Sequence, residues 1–220
     1  MEINDFRIMS PMKYYDNPEP KTTSACQKRL SIIAGDLSKN YIATRKFDGD
    51  WGCFIHYSKG NNYIRSRSLS KVTGEYGNYT EKLPILTAEI GELCLAAPNQ
   101  TANTIGTILR CLPQKAIERQ KETPVEVHLF DCLMVNGKDY STESYINRLN
   151  ELKNFNSKSF FLPEVYNSCN VEGKSFAEIA DSIINSGGEG LVLQLKNNPY
   201  LPGTRTAWKT LKLKQTLPHM

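Results

Sequence analysis

The chain has 220 residues, 40% hydrophobic and 23% charged, with a mean hydropathy of −0.45. This balance excludes disorder and membrane spanning and describes one globular domain, at most with a small appendage. Twenty-seven Lys+Arg against 23 Asp+Glu leave a net charge of +4, which admits a polyanionic partner but falls well short of a dedicated nucleic-acid clamp.

In chain order, the N-terminal segment MEINDFRIMSPMKYYD mixes acidic and basic side chains without an apolar core. It reads as neither signal nor transit peptide, and a cytoplasmic location is expected, with a bacterial, viral or phage setting left open. A stretch near 11–20 (Pro11, Pro18, Pro20) reads as an extended lead-in. Leu30, Ile33, Ala34 and Leu37 fall at helical spacing and predict a helix over about Ser24–Ser38. Short apolar runs of strand composition follow at Tyr41–Thr44, Gly52–His56, Tyr63–Arg65 and Leu86–Leu95. Residues 101–119 carry helical spacing interrupted by Pro113, which predicts two shorter helices with a break at the proline. A further strand is expected over Val125–Leu133, and a helix over 142–155 with Tyr145, Ile146, Leu149 and Leu152 on one face. Residues 175–186 open with the capping box Ser175-Phe176-Ala177-Glu178 and close on Gly187-Gly188, before a strand at Gly190–Leu195. No repeat or linker interrupts the chain, so one continuous domain is expected. Its strands outnumber its helices without a βαβ alternation, which gives an α+β class of antiparallel sheet and packed helices. The cysteines Cys26, Cys53, Cys94, Cys111, Cys132 and Cys169 form no CxxC pair and the histidines are only His56, His128 and His219. No zinc ligand set can be read, and reduced, buried thiols are expected.

Lys46-Phe47-Asp48-Gly49 lies where one strand-like run gives way to the next. Alone, this tetrapeptide is short enough to arise by chance, with a surface turn as its plainer reading. It is followed in order by Ser66-Arg67, Gly91-Glu92-Leu93, Phe130-Asp131-Cys132-Leu133, Glu189-Gly190-Leu191-Val192-Leu193 and Leu211-Lys212-Leu213-Lys214. In that order and at those separations the segments resemble the nucleotidyltransferase motifs of the ATP-dependent DNA ligase family: Lys-x-Asp-Gly, Ser-Arg, Gly-Glu-Leu, Phe-Asp-x-Leu, Glu-Gly-Leu-Val-Leu and Lys-x-Lys. Ser10-Pro11-Met12 looks like the family's lead-in and Tyr145-Ile146-Asn147-Arg148-Leu149 like the helix after Phe-Asp, so the resemblance runs from about residue 8 to 214. It implies a nucleotidyltransferase (ATP-grasp-like) fold, with two antiparallel sheets flanked by helices around a nucleotide cleft.

The chemistry of the residues agrees. A lysine amine serves as nucleophile in phosphoryl transfer once its ammonium has lost a proton. Lys46 is that candidate, with Arg67, Lys212 and Lys214 as the implied neighbours that would depress its pKa and neutralise phosphate charge. Lys212 and Lys214, two apart on a strand, project from one face while Leu211 and Leu213 project from the other. The plainer reading is an edge strand guarded by lysines, and Lys209 is a nearby competitor for the register.

Glu92 and Glu189 each border an apolar run, where a carboxylate needs a partner. The resemblance implies that Glu92 contacts the ribose and that Glu189 helps hold Mg²⁺, with Glu89 the alternative to Glu92; the plainer reading for each is a salt bridge at a strand end. Gly188 and Gly190 beside Glu189 suggest close backbone approach to a ligand. Phe130 ends an apolar strand and on pattern alone is a core residue, whereas the family match assigns it to stacking on adenine. Asp48 is a candidate for positioning the metal or the lysine, and Gly49 for permitting a tight turn.

Two departures stand out. Where the family commonly has an arginine five residues after the lysine, this chain has Trp51, leaving that contact missing or supplied by Arg45 or Arg65. Six residues follow Lys214, too few for the family's OB-fold domain, and no separate N-terminal DNA-binding domain precedes the motifs. The expectation over 1–220 is therefore an adenylation domain without an OB fold. It would be a monomer acting with ATP and Mg²⁺ on nicked duplex DNA in replication, repair or recombination. An RNA ligase, an mRNA-capping guanylyltransferase and a non-catalytic nucleotide- or nick-binding module are the alternatives; NAD⁺ as adenylate donor is disfavoured for want of the N-terminal domain that NAD⁺-dependent ligases use.

Overall fold

The computed structural model describes residues 10–13, 37–56, 62–83, 90–95, 102–135, 138–154, 160–167, 173–200 and 205–214. The helix expected over Ser24–Ser38 lies outside these residues except for its end, where Leu37–Asn40 is helical (α1). The chain divides into two compact units. The first is mainly Asp48–Glu143 with Asn147–Pro163, and the second mainly Met9–Phe47 with Glu164–Met220.

The second unit is built on a five-stranded sheet: β1 (Ser10–Lys13), β13 (Arg205–Lys214), β12 (Gly190–Leu195), β2 (Tyr41–Lys46) and β11 (Val165–Tyr166), in that spatial order. Alternation explains which face packs. Ala43, Leu191, Leu193, Leu211 and Leu213 are buried together with Phe176, Ile179, Ala180 and Ile183 of helix α5 (Phe176–Asn185). The start of α5 is fixed as the sequence predicts. The Ser175 Oγ accepts from the Glu178 amide at 3.2 Å, and the Ser175 amide donates to the Glu178 carboxylate at 2.7 Å. Its end is closed by glycine: Gly187 takes φ +90, and the Gly188 amide donates to the Ile183 carbonyl at 2.8 Å.

The first unit carries a six-stranded sheet in the order β10 (Phe160–Phe161), β7 (Val125–Asp131), β6 (Ile90–Leu95), β3 (Asp50–His56), β4 (Asn62–Leu69) and β5 (Tyr76–Asn78). Its buried side chains include Phe54, Ile64, Val127 and Leu129 of the sheet, Ile105, Ile108 and Leu109 of helix α2 (Ala102–Leu109), and Leu149 and Leu152 of helix α4 (Tyr145–Leu152). The expected break in 101–119 is found: α3 (Pro113–Glu122) begins at the proline, whose missing N–H costs nothing in a first turn. A two-stranded ribbon of β8 (Met134–Val135) and β9 (Lys138–Asp139) completes the elements.

The antiparallel expectation holds for most ladders, but two edge pairings, β1 with β13 and β10 with β7, are parallel. Strands β5 and β8–β11 are two or three residues long, too short to carry a readable period. Cys53 and Cys132 are buried and Cys111 half-buried, all as free thiols, and burial pushes the Cys53 thiol up to about 12. Among the described residues no helix is long and apolar enough to cross a membrane.

Candidate active site

Lys46 is the last residue of β2, and its place is set by register. Gly190 pairs with Lys46 on one side and with Lys214 on the other, so the two lysines flank a residue that has no side chain. One step along the strands, Val192 pairs with Thr44 and with Lys212. Cross-strand partners share a face, so Lys46, Lys212 and Lys214 all lie on the face opposite the α5 core. Lys209 is exposed and falls outside the paired rows.

Glu189 is delivered to the space over Gly190 by the turn that ends α5. Its Oε2 accepts from Lys46 Nζ at 2.6 Å and its Oε1 from Lys214 Nζ at 3.2 Å. The site is half closed, with side-chain exposures of 11% for Lys46 and 19% for Glu189, where charge-assisted hydrogen bonds are strengthened. Neither neighbour of Glu189 has room for a β-carbon. At Gly188 one would lie 2.6 Å from Ile183 Cγ2; at Gly190, held at φ +127, one would lie 2.1 Å from the Leu213 carbonyl oxygen. The glycine pair is thus explained by backbone packing inside the protein, which brings the acid to the lysines.

The first unit places the other sequence candidates. Asp48 is exposed and Gly49 half-buried in the short connection from β2 to β3. Arg67 is exposed on β4, and the hydroxyl of the adjoining Ser66 accepts from the Gly77 amide at 2.8 Å, tying β4 to β5. Glu92 lies on β6 in register with Trp51 and with His128; Glu89 lies outside the described residues. Phe130 is half-buried where Val125, Val127 and Leu129 are buried. The β6–β7 register shifts from Gly91–Leu129 to Ile90–Asp131 at this point, while burial alternates through the strand and sets Phe130 on the half-buried face with Glu126 and His128. Its pattern reading as core is corrected by this placement.

Lys46 is ion-paired with the Glu189 carboxylate, whose other oxygen takes Lys214, so an anion stands beside the lysine in addition to the cations anticipated for it. Neither arginine offered in place of Trp51 is disposed for that work. Arg45 falls on the opposite face from Lys46 and pairs with Glu164 at 3.5 Å, over the Phe47 ring at 5.5 Å. Arg65 is 1% exposed, with its guanidinium 3.8 Å from the Tyr76 ring.

The family model of the ATP-dependent DNA ligase domain matches residues 22–214. The chain belongs to this family. Among its relatives, the DNA ligase of Nitrosopumilus maritimus is 25% identical over 185 residues, covering 80% of this chain and 31% of that protein. The DNA ligase of Cenarchaeum symbiosum is 28% identical over 190 residues, covering 81% and 31%. The chain therefore spans about a third of the length of the curated relatives it matches. In fold it is similar to a Lig E DNA ligase, with a TM-score of 0.58 at 21% identity over 83% of this chain and 65% of the other. It is also similar to the ligase domain of M. tuberculosis LigD, with a TM-score of 0.57 at 22% identity over 82% and 56%.

In this DNA ligase-family domain, one buried pair escaped the sequence reading. Arg148 donates from Nε to Asp131 Oδ1 at 2.7 Å and from Nη2 to Oδ2 at 3.0 Å, with side-chain exposures of 0% and 2%. The pair anchors the residue after Phe130 to α4. Its signal was present: an arginine beside the apolar stripe of one helix and an aspartate closing an apolar strand, each needing an opposite charge if buried. Among the described residues no three His, Cys, Asp or Glu gather as a metal cage. Glu189 is a half-buried carboxylate of the kind that holds Mg²⁺ together with substrate phosphates, but both its oxygens are engaged by Lys46 and Lys214 here, so an ion would have to share them.

Proposed function

We propose that the chain is an adenylation module that forms a covalent lysyl-AMP at Lys46 from ATP, for transfer to the 5′-phosphate of a nick in duplex DNA. The observation that carries this is Lys46 held against Glu189 and flanked by Lys214, in a chain whose family is that of ATP-dependent DNA ligases. Lys46 Nζ forms the new bond to the α-phosphorus as the bond to the pyrophosphate oxygen breaks, and pyrophosphate leaves. The ammonium must first give up a proton, and Glu189 Oε2, at 2.6 Å, is the acceptor within reach. Lys214 and Lys212 offset the phosphate charge. By resemblance Glu189 and Asp48 are the acids that would help hold Mg²⁺, which would supply further charge neutralisation. By resemblance Arg67 contacts phosphate, Glu92 the ribose and Phe130 the adenine, with Gly49 giving the turn that follows Asp48. The later steps, AMP transfer to the 5′-phosphate and its displacement by a 3′-hydroxyl, extend the same reading to the whole ligase, in the cytoplasm and as a monomer.

Intact-protein mass spectrometry before and after incubation with ATP and Mg²⁺ tests it. One adenylate added to the parent and none to Lys46→Ala is the expected result. An increment that survives Lys46→Ala, or a guanylate added in preference to an adenylate, overturns it. If the parent takes up no adenylate yet binds nicked DNA in a salt-dependent way, the module is a binding one.

A further inference from the structure

Arg45 precedes Lys46 on β2, and alternation along the strand puts it on the other face, at the rim of the apolar layer under α5, where its cross-strand partner is Leu191. A cation at the edge of an apolar layer needs partners for its donors, and Arg45 is held from several sides. Its Nη1 lies 3.5 Å from Glu164 Oε2, and the other oxygen of that carboxylate accepts from the Tyr166 hydroxyl. The Arg45 amide donates to the Glu164 carbonyl at 3.2 Å, so backbone and side chain are tied to the same residue, the one just before β11. The guanidinium carbon stands 5.5 Å from the centre of the Phe47 ring. On its other side, Nη2 lies 3.5 Å from the point that a β-carbon on Gly188 would occupy.

The last two approaches are to the chain neighbours of the ion pair described above: Phe47 follows Lys46, and Gly188 precedes Glu189. A half-exposed pair of Arg45 with Glu164 contributes little stability by itself, but a planar guanidinium held by a carboxylate has a fixed direction. We propose that Arg45 is a positioning residue for Lys46 and Glu189, a brace on the back of the sheet that holds the turn carrying the acid against the strand end carrying the amine. Lys46 Nζ and Glu189 Oε2 stand 2.6 Å apart, a separation that a small swing of either backbone would open. In this role Arg45 acts through Glu189 and meets no reacting atom. The assignment rests on the adenylation reading above.

Lysyl-adenylate formation is followed by intact-protein mass over a range of ATP concentrations for the parent, Arg45→Met, Glu164→Gln, Glu189→Ala and the double variant of Arg45→Met with Glu189→Ala. Arg45→Met should lower the maximal rate about tenfold, within what a slight misplacement of a reacting group costs, and should leave the half-saturating ATP concentration within about twofold of the parent's. Glu164→Gln loosens the brace from its far end and should lower the same rate about threefold. In the Glu189→Ala background, Arg45→Met should cost less than about twofold, because the group it places is gone. An arginine that only supports the fold would cost the same factor in both backgrounds, and that result overturns the proposal. So does a maximal rate for Arg45→Met equal to the parent's, or a loss that falls on half-saturating ATP instead. If Arg45→Met does not fold, Glu164→Gln decides, and a rate equal to the parent's overturns the proposal. If the parent itself takes up no adenylate, the adenylation reading fails and urea unfolding judges the brace. The midpoint shift of the double variant should then be smaller than the two single shifts together, and a shift equal to their sum overturns it.

Discussion

The Nζ of Lys46 and the carboxylate of Glu189, 143 positions apart in the chain, meet at 2.6 Å. Lys46 is therefore ion-paired at rest, and on the adenylation reading proposed above the same acid is placed to receive its proton. Replacing Glu189 by Gln keeps the shape and removes the charge. Lysyl-adenylate formation should fall by roughly 10²-fold, the scale on which one such group contributes to a proton-transfer step, while the fold is retained. A rate equal to the parent's, followed by the mass increment over time, would remove Glu189 from the chemistry.

Gly190 and Gly74 both have positive φ, yet substitution at the two should differ. At Gly74 (φ +70) an added β-carbon meets nothing within 4 Å, so Gly74→Ala should cost only the backbone strain of about 1–2 kcal/mol. At Gly190 the same carbon meets a carbonyl oxygen at 2.1 Å, and strain adds to overlap for about 3 kcal/mol or more. Urea unfolding of the two variants checks the order, and equal losses would contradict the packing at β12.

Breaking the buried Asp131–Arg148 pair leaves one charge uncompensated. Arg148→Met should cost about 3–5 kcal/mol, and adding Asp131→Leu should recover part of it, since two apolar side chains leave no orphan charge. A double variant less stable than Arg148→Met alone would show that Asp131 has a second essential partner.

The capping box of α5 makes stability depend on pH at the acid end. Hydrogen bonds from Ser175, first of all from its backbone, hold the Glu178 carboxyl below its ordinary 4.5. The unfolded chain therefore takes up the proton first. The stabilisation is complete above the unfolded value and is lost as pH falls through the lower folded one. The difference in Tm between the parent and Glu178→Ala should be largest near neutrality and should narrow below pH 4.5. A difference that stays constant into acid would assign the effect to helix propensity.

Much of the second unit was legible because its signals are local. The period of Gly190–Leu195 and of Leu211–Lys214, the Ser175–Glu178 box and the glycine end of α5 each lie within a few residues of chain. The pairing of Lys46 with Glu189 was not legible, since nothing local to either residue reports a partner so far along the chain. Phe130 misled because its apolar character and its place at the end of an apolar strand suggested core, whereas the alternation of Val125–Asp131 sets it on the half-buried face with Glu126 and His128. The burial of Arg148 ran against the ordinary exposure of arginine. The choice among Lys209, Lys212 and Lys214 waited on the ladder with β12, because register is a property of two strands together.

That ladder has a consequence for how damage would appear. Leu211 and Leu213 alternate with Lys212 and Lys214, so a slip of one residue would turn the lysines into the apolar layer under α5 and the leucines out of it. The greasy contacts beneath the sheet act as a gauge that keeps the charged side in alignment. Trimming Leu213, which touches no phosphate, should blunt adenylation under conditions where the protein still looks folded, and a screen for lost activity would then collect core positions beside Lys46 itself.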